Sequence, residues 1–245
     1  VNGGELRNRG VELGLSTTPI ESPAFKWDAK TSFWLNRSEI TELNIAPFAL
    51  GAFGSGYGTF FIEEGASATQ IVGVTADGVR KIGDATPDFQ MNFQNFFTVK
   101  QNLTFSFLLH WKKGGDNVNL TQLLFDASGT TADYDEDDDG DGVINGVDRL
   151  SSGTAETWVQ DASYLRLREI GLYYTIPKVA LSSVFGNVVE NIRVGVSANN
   201  LFTITDYDGY DPEVSNFGSN GLSTGIDVTP FPASRRFFFH LNLSF

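Results

Sequence analysis

Alternation with a period of two dominates this chain, and it is plainest at the end. Phe245, Leu243, Leu241, Phe239 and Phe237 are apolar, while Ser244, Asn242, His240 and Arg236 between them are polar; Phe238 alone breaks the series. A strand turns successive side chains to opposite faces, so this segment predicts a ribbon with one apolar and one polar face. The pattern recurs upstream. Val11, Leu13 and Leu15 oppose Glu12, Gly14 and Ser16, and Phe25, Trp27, Ala29, Thr31, Phe33 and Leu35 oppose Lys26, Asp28, Lys30 and Ser32. Phe89, Met91, Phe93 and Phe97 alternate with Gln90, Asn92, Gln94 and Thr98, with Asn95 out of place on the apolar side. Leu103, Phe105, Phe107, Leu109 and Trp111 alternate with Thr104, Ser106, Leu108, His110 and Lys112. Residues 164–176 begin with Leu165 and Leu167 in one phase and continue with Ile170, Leu172, Tyr174 and Ile176 in the other, a slip that predicts a bulge around Glu169. Ile192, Val194, Val196 and Ala198 oppose Arg193, Gly195, Ser197 and Asn199.

Most of these segments run for about ten residues, the length with which a tilted strand crosses a membrane. Their connections alternate in length. Short ones fall at 19–23, 100–102 and 177–191, where Val179-Ala180-Leu181 predicts one or two helical turns; long ones fall at 36–87, 114–162 and 206–233. Short periplasmic turns and long external loops are the habit of outer-membrane barrels. An edge strand of a soluble sandwich gives the same local alternation but has no need of that parity. The predicted fold is therefore all-β: an antiparallel transmembrane β-barrel segment of about seven strands, its C-terminus on the short-turn, periplasmic side. An odd number cannot close a bacterial single-chain barrel, and open edges in lipid leave backbone groups unpaired, so further strands are expected from elsewhere. Aromatic residues gather near strand ends, with Phe25, Trp27, Phe97, Tyr173, Tyr174 and Phe245 towards the short turns. Trp34, Phe89, Trp111, Phe202 and Phe237 lie towards the long loops, as two interfacial girdles would require, and Trp158 is expected as a further anchor.

Composition sharpens the choice. Aromatics make up 13% of the 245 residues, with 21 Phe, whereas only 19% are charged, below the roughly 25% of soluble domains. Mean hydropathy is nevertheless only −0.12, and no run reaches the ~18 apolar residues of a spanning helix. A barrel reconciles these facts, because alternation hides its hydrophobicity from an average. The net charge of −13 argues against nucleic acid and against a polybasic membrane anchor. Cysteine is absent, which excludes a disulfide framework, a thiolate metal site and a cysteine nucleophile. The chain opens Val1-Asn2-Gly3-Gly4 with neither Met nor a secretory leader, so a fragment or processed chain is expected.

Several short motifs occur in a fixed order: Asn8-Arg9-Gly10-Val11-Glu12-Leu13, Pro87-Asp88-Phe89, Trp111-Lys112-Lys113-Gly114-Gly115-Asp116, Ala162-Ser163-Tyr164-Leu165-Arg166-Leu167-Arg168, Asn200-Leu201-Phe202-Thr203, Gly209-Tyr210-Asp211-Pro212-Glu213 and the terminal Phe245. Together they resemble the C-terminal part of the SusC/RagA family of TonB-linked outer-membrane transporters, over essentially the whole chain. The resemblance implies that residues 1–245 are the C-terminal part of a TonB-dependent receptor barrel, usually of 22 strands, whose plug and earlier strands lie outside this chain. It also implies a SusD-like surface lipoprotein as lid, energy from the TonB complex through the missing N-terminal part, and pairing of transporter–lid units into dimers. Oligosaccharides or peptides would be the cargo. On that model Lys26, Asp28, Lys30, Gln90, Asn92, Arg193, Asn199, Arg236 and His240 line the lumen.

The sharpest local chemistry is Asp133-Tyr134-Asp135-Glu136-Asp137-Asp138-Asp139-Gly140-Asp141-Gly142-Val143-Ile144-Asn145-Gly146-Val147-Asp148. With Asp137 first, an EF-hand-type loop places Asp139 and Asp141 third and fifth, Gly142 at the sharp turn, the Val143 carbonyl seventh, Asn145 ninth and Asp148 twelfth. A start at Asp135 puts Gly146, which has no side-chain ligand, at position twelve. The all-oxygen set suits a structural Ca²⁺ better than Mg²⁺, which demands a strict octahedron. No helical pattern clearly flanks it, so a loop-only site is expected. His110 and His240 read as lining of a wet interior, since no Ser or Cys partner makes either catalytic. The loop 206–213 mixes Tyr with Asp and Glu, which suits either a sugar or packing against neighbours. With no phosphate loop, nucleophile elbow or zinc spacing, no enzymatic activity is expected. The competing reading is a soluble, secreted, calcium-dependent carbohydrate-binding or adhesin β-sandwich, which would bury the apolar rows against a second sheet.

Overall fold

The computed structural model describes residues 3–50, 53–185, 188–213, 225–231 and 233–245. In chain order the elements are β1 (Gly4–Glu21), β2 (Phe25–Leu43), β3 (Phe48–Leu50), β4 (Thr59–Ile62), β5 (Gln70–Thr75), β6 (Gly78–Asp84), β7 (Phe89–Val99), β8 (Leu103–Lys113) and β9 (Asp116–Asn119). There follow α1 (Leu120–Ala127), α2 (Asn145–Ser151), β10 (Val159–Asp161), β11 (Tyr164–Thr175), α3 (Lys178–Phe185), β12 (Asn191–Asn199), β13 (Thr203–Ile204), β14 (Ile226–Asp227) and β15 (Arg236–Ser244). An antiparallel sheet runs β1-β2-β7-β8-β11-β12-β15, with β13 added to β11. These seven main strands are the ones the alternation predicts. Among the described residues β1 and β15 do not pair with each other, so the sheet is open.

The register turns alternation into architecture. Trp27, Phe97, Phe105, Leu172, Val196 and Phe239 stand directly opposite one another from β2 to β15, one apolar row across six strands. Nearer the long loops a second row joins Leu13, Phe33, Met91, Trp111 and Leu165. Ring contacts stitch the rows together: Trp27 and Phe97 lie 5.7 Å apart, Phe89 and Trp111 4.9 Å, the range in which aromatic pairs add to burial. Asn95, the misfit in the apolar pattern, accepts a 2.9 Å hydrogen bond from the Trp27 indole N–H; each polar atom satisfies the other on an otherwise apolar face. Among the described residues no second sheet covers this face, and Phe239 is left 89% exposed. A sandwich would bury it.

The opposite face is polar, and every residue expected to line the lumen lies on it. Trp34 and Tyr173, expected in the girdles, also point this way: Trp34 packs edge-on against His110 at 5.7 Å and Tyr173 lies 5.3 Å from His240. Position near a strand end does not settle which face a ring takes; parity does. The slip near Glu169 is real, since pairing of β11 with β8 jumps between Leu167 and Glu169 and leaves Arg168 as the extra residue. The helix expected within 177–191 is α3. The first hairpin is longer than predicted: β1 spans 18 residues and β2 19, so the turn at 19–23 narrows to 22–24 and the loop at 36–87 starts later.

The three long connections are not loose. The first folds as a sheet β3-β4-β5-β6, and the second and third share a sheet β10-β9-β14. They meet in one core of Phe60 and Ile71 from the first, Val118, Leu120 and Trp158 from the second, and Ile226 from the third. Trp158, expected as a lipid anchor, is 4% exposed within that core. Its large apolar body is used to weld separate loops rather than to meet a membrane. The third connection is only partly within the described residues.

Candidate functional site

Where the polar face meets the loop core, β11 delivers Tyr164 and Arg166 from alternate positions, and the bulge brings Arg168 beside them. Both arginines are drawn to the loop 206–213. Arg166 donates to Asp211 at 2.5 Å and to Glu213 at 2.6 Å; Arg168 donates to Glu213 at 2.7 Å through Nη1 and again through Nη2. The Tyr164 hydroxyl donates to Glu213 as well, and the Arg166 guanidinium lies 5.0 Å from the Tyr164 ring centre. Burial alone would raise the Glu213 carboxyl, but hydrogen bonds from Arg168 and Tyr164 and the two positive charges hold it down to about 2. His110 joins the edge of this cluster, 3.3 Å from both Gln90 and Arg168. It is an ion network that ties β11 to the loop 206–213. The sequence carried a hint in two arginines alternating on a polar strand face, but nothing in it named their partners.

The rest of that loop is also largely engaged. Tyr207 donates to Asp227 at 2.8 Å, and burial together with the Asp227 charge pushes its hydroxyl well above the usual phenol range. Asp208 accepts from Gln160 at 3.0 Å. Tyr210 alone stands out, with Phe125 edge-on at 6.1 Å.

The acidic loop is organised as a turn of interlocked carboxylates. Asp137 accepts from the Gly140 and Gly142 amides at 2.8 and 3.1 Å, Asp139 from Asp141 N at 3.2 Å, and Asp141 from Val143 N at 2.7 Å. Gly142 has φ of 90°, a conformation that side chains resist, and it occupies the position where the loop pattern demands glycine. One oxygen each of Asp137, Asp139 and Asp141 lie within 4.8 Å of one another, so three of the six expected ligands converge. Asn145 instead receives Asp138 N at 3.2 Å and donates to Asp138 at 3.0 Å. Asp148 lies in the first turn of α2, outside the trio. A helix therefore does flank the loop at its exit, contrary to the loop-only expectation; seven residues are too few for a clear helical period to show. Three convergent carboxylate oxygens are the donor chemistry that suits a hard cation; Asn145 and Asp148, at the helix start, do not join them.

Arg149 on α2 fastens the loop to its surroundings. It donates to Asp126 at 2.7 and 2.8 Å and to Asp133 at 2.7 and 3.1 Å, a two-sided fork between α1 and the loop entrance. Those bonds hold the Asp133 carboxyl below the usual carboxylate range.

No protein-family model matches the chain. It is 27% identical to TonB-dependent receptor P3 of Formosa agariphila, the alignment covering all of this chain and 29% of the relative. It is 23% identical to TonB-dependent receptor SusC of Bacteroides thetaiotaomicron, covering all of this chain and 27% of that protein. In structure it superposes over its whole length on 30% of a chain of the RagAB peptide importer in the closed-closed state, with a TM-score of 0.70 and 21% identity. Over its whole length the chain is thus similar in sequence to TonB-dependent receptors and in fold to a chain of the RagAB importer. It spans less than a third of the length of the TonB-dependent receptors it matches. The seven-stranded open sheet thus shares its fold with part of that importer chain.

Proposed function

We propose that this chain is part of the wall of an outer-membrane importer that takes up oligosaccharides or peptides, energised through TonB by a part of the protein outside residues 1–245. The observation that carries this reading is the bare apolar face: rows in register across six strands, each ending on polar loop or turn, fit a hydrocarbon layer and nothing aqueous. A SusD-like surface lipoprotein would close the long-loop side, and such pairs would associate as dimers. The RagAB pairing of a structural neighbour supports the lid. The chain's own residues bind, shape and seal; they carry out no covalent step. In the native host, in-frame deletion of the gene is expected to abolish uptake of at least one oligosaccharide or peptide class at micromolar supply, with growth on monosaccharides and amino acids unchanged. Wild-type uptake of both classes by the deletion strain would defeat the proposal. Affinity purification of the transporter in detergent is expected to bring down a single lipoprotein.

The acidic loop is proposed to hold one Ca²⁺ in a structural role, with Asp137, Asp139 and Asp141 as side-chain ligands, the Val143 carbonyl and Asn145 completing the loop, and Asp148 reaching from α2. The convergence of three carboxylates around a glycine turn supports it, because like charges this close repel without a counter-ion. Calorimetric titration of the purified transporter is expected to show one site that Asp139→Asn weakens at least tenfold; no heat of binding, or heat indifferent to that change, sinks the assignment.

A further inference from the structure

Between α1, the segment 130–133 and the turn 208–210 lies a cleft of about 460 Å³, within the range of small-molecule sites. Its two ends differ in chemistry. At the mouth Tyr210 is 64% exposed, with Phe125 set perpendicular to it at 85°. At the floor a chain of amides is fixed: Asn119 accepts from Gln122 N at 3.0 Å and donates to Gln160 at 3.1 Å, and Gln160 donates to Gln122 at 2.6 Å and to Asp208 at 3.0 Å. This network uses the Gln122 Oε1 and one Asp208 oxygen. Among the described residues it leaves the Gln122 NH₂ and the second Asp208 oxygen without protein partners. Gly209 allows the turn, since a Cβ there would meet Asp227 Oδ2 at 2.8 Å.

We infer that this cleft binds a neutral sugar ring, stacked on Tyr210 and held through its hydroxyls by Gln122 and Asp208. The choice of class follows from the polarity of the free groups. A sugar hydroxyl both donates and accepts, and the cleft offers one donor and one acceptor beside an aromatic face. A lysine or arginine side chain would find an acceptor in Asp208 but would meet the Gln122 NH₂ with its positive end. The second carboxylate, Asp133, has both oxygens occupied by the fork from Arg149. The rigid floor favours a ligand of fixed shape, because little ordering is left to be done on binding.

This site deepens the importer reading by naming a cargo class, but binding at the cleft is measurable without transport. The full-length transporter in detergent, titrated calorimetrically with a panel of neutral gluco-, galacto-, manno- and xylo-hexasaccharides, is expected to bind at least one with a 1:1 heat. Tyr210→Ala is expected to weaken that binding at least tenfold and Gln122→Glu about as much, while Tyr210→Phe stays within threefold. Because Tyr210 is exposed, its loss does not threaten folding. Binding of no sugar in the panel, binding indifferent to Tyr210→Ala, or Tyr210-dependent binding of an Arg-containing tetrapeptide instead, overturns the inference. Uptake of the bound sugar by cells is the separate readout: Tyr210-dependent binding with no uptake leaves the cleft standing and removes the importer, and uptake with Tyr210-independent binding does the reverse.

Discussion

Replacing Arg166 with methionine is expected to destabilise the loop strap by about 3–5 kcal/mol, the usual consequence of leaving a buried carboxylate without its cation. Arg166 is 3% exposed and Asp211 is buried beside it. Once the guanidinium is gone, Asp211 keeps, among the described residues, only the 2.9 Å bond from Glu213 N, and Glu213 must rely on Arg168 and Tyr164. Hydrogen exchange of amides 206–213 is the direct measurement, and protection there should collapse while that of β7 and β8 persists. The double change Arg166→Met with Asp211→Leu should recover much of the loss, since an apolar pair asks for no charge compensation. The pair does not begin as a perfect network, because the Arg166 Nε has no partner among the described residues. The strap also has a pH signature. Glu213 is held at about 2 when folded, below the ordinary carboxylate value, so its contribution is complete above about pH 4.5. It is lost as pH falls from there towards 2. Unaltered protection in Arg166→Met, or a strap as firm at pH 2.5 as at pH 7, would show that these ion pairs do not hold the loop.

An effect of similar size is expected at Arg149. Its guanidinium serves both oxygens of Asp126 and both of Asp133, and the Asp126 side chain has no exposure at all. Arg149→Met leaves that carboxylate, among the described residues, with only the hydroxyl of Thr131 and no cation, again at about 3–5 kcal/mol. The whole segment from the end of α1 to α2 depends on this fork, so limited proteolysis should open new cuts between 128 and 145 in the intact transporter. Arg149→Lys should restore only part of the resistance, because a point charge cannot span four oxygens in a planar fork. A variant as resistant to protease as the parent would mean that Tyr134, whose ring packs on Gly146, and the turn itself suffice.

The wall was legible from sequence because a half-buried ribbon imposes strict alternation, and nearly every wall strand obeys it. Even the bulge near Glu169 announced itself as a phase change. Asn95 was legible only as an anomaly; its explanation, Trp27, lies one strand away, and no periodicity reports register between strands. The loop core was not legible at all. Phe60, Val118 and Ile226 come from three segments far apart in sequence, and short strands of two to seven residues are too brief to reveal a period. Trp158 was misplaced for that reason, having been judged by its proximity to β11. Of the acidic loop, the glycine turn and the convergence of Asp137, Asp139 and Asp141 followed from spacing, whereas the fork from Arg149 did not, since its two partners lie 16 and 23 residues back. The strap likewise joins residues 45 to 47 apart.

The first hairpin has an engineering consequence. Past Val11 and Leu35, β1 and β2 stay paired up to Gly4 and Leu43, across one register shift between Glu5 and Leu6, and there Ile40 packs with Ile62 and Ala68 and exchanges backbone bonds with Gly65 and Ala66 at 2.8 and 2.9 Å. The upper ribbon, some seven residues or roughly 24 Å tall at the usual rise per residue, is a mast that the first loop is rigged to. A chimera that exchanges this loop between transporters must therefore be cut low, near Val11 and Leu35, so that mast and rigging travel together; a graft spliced at the visible ends of the loop would leave it moored to a foreign post.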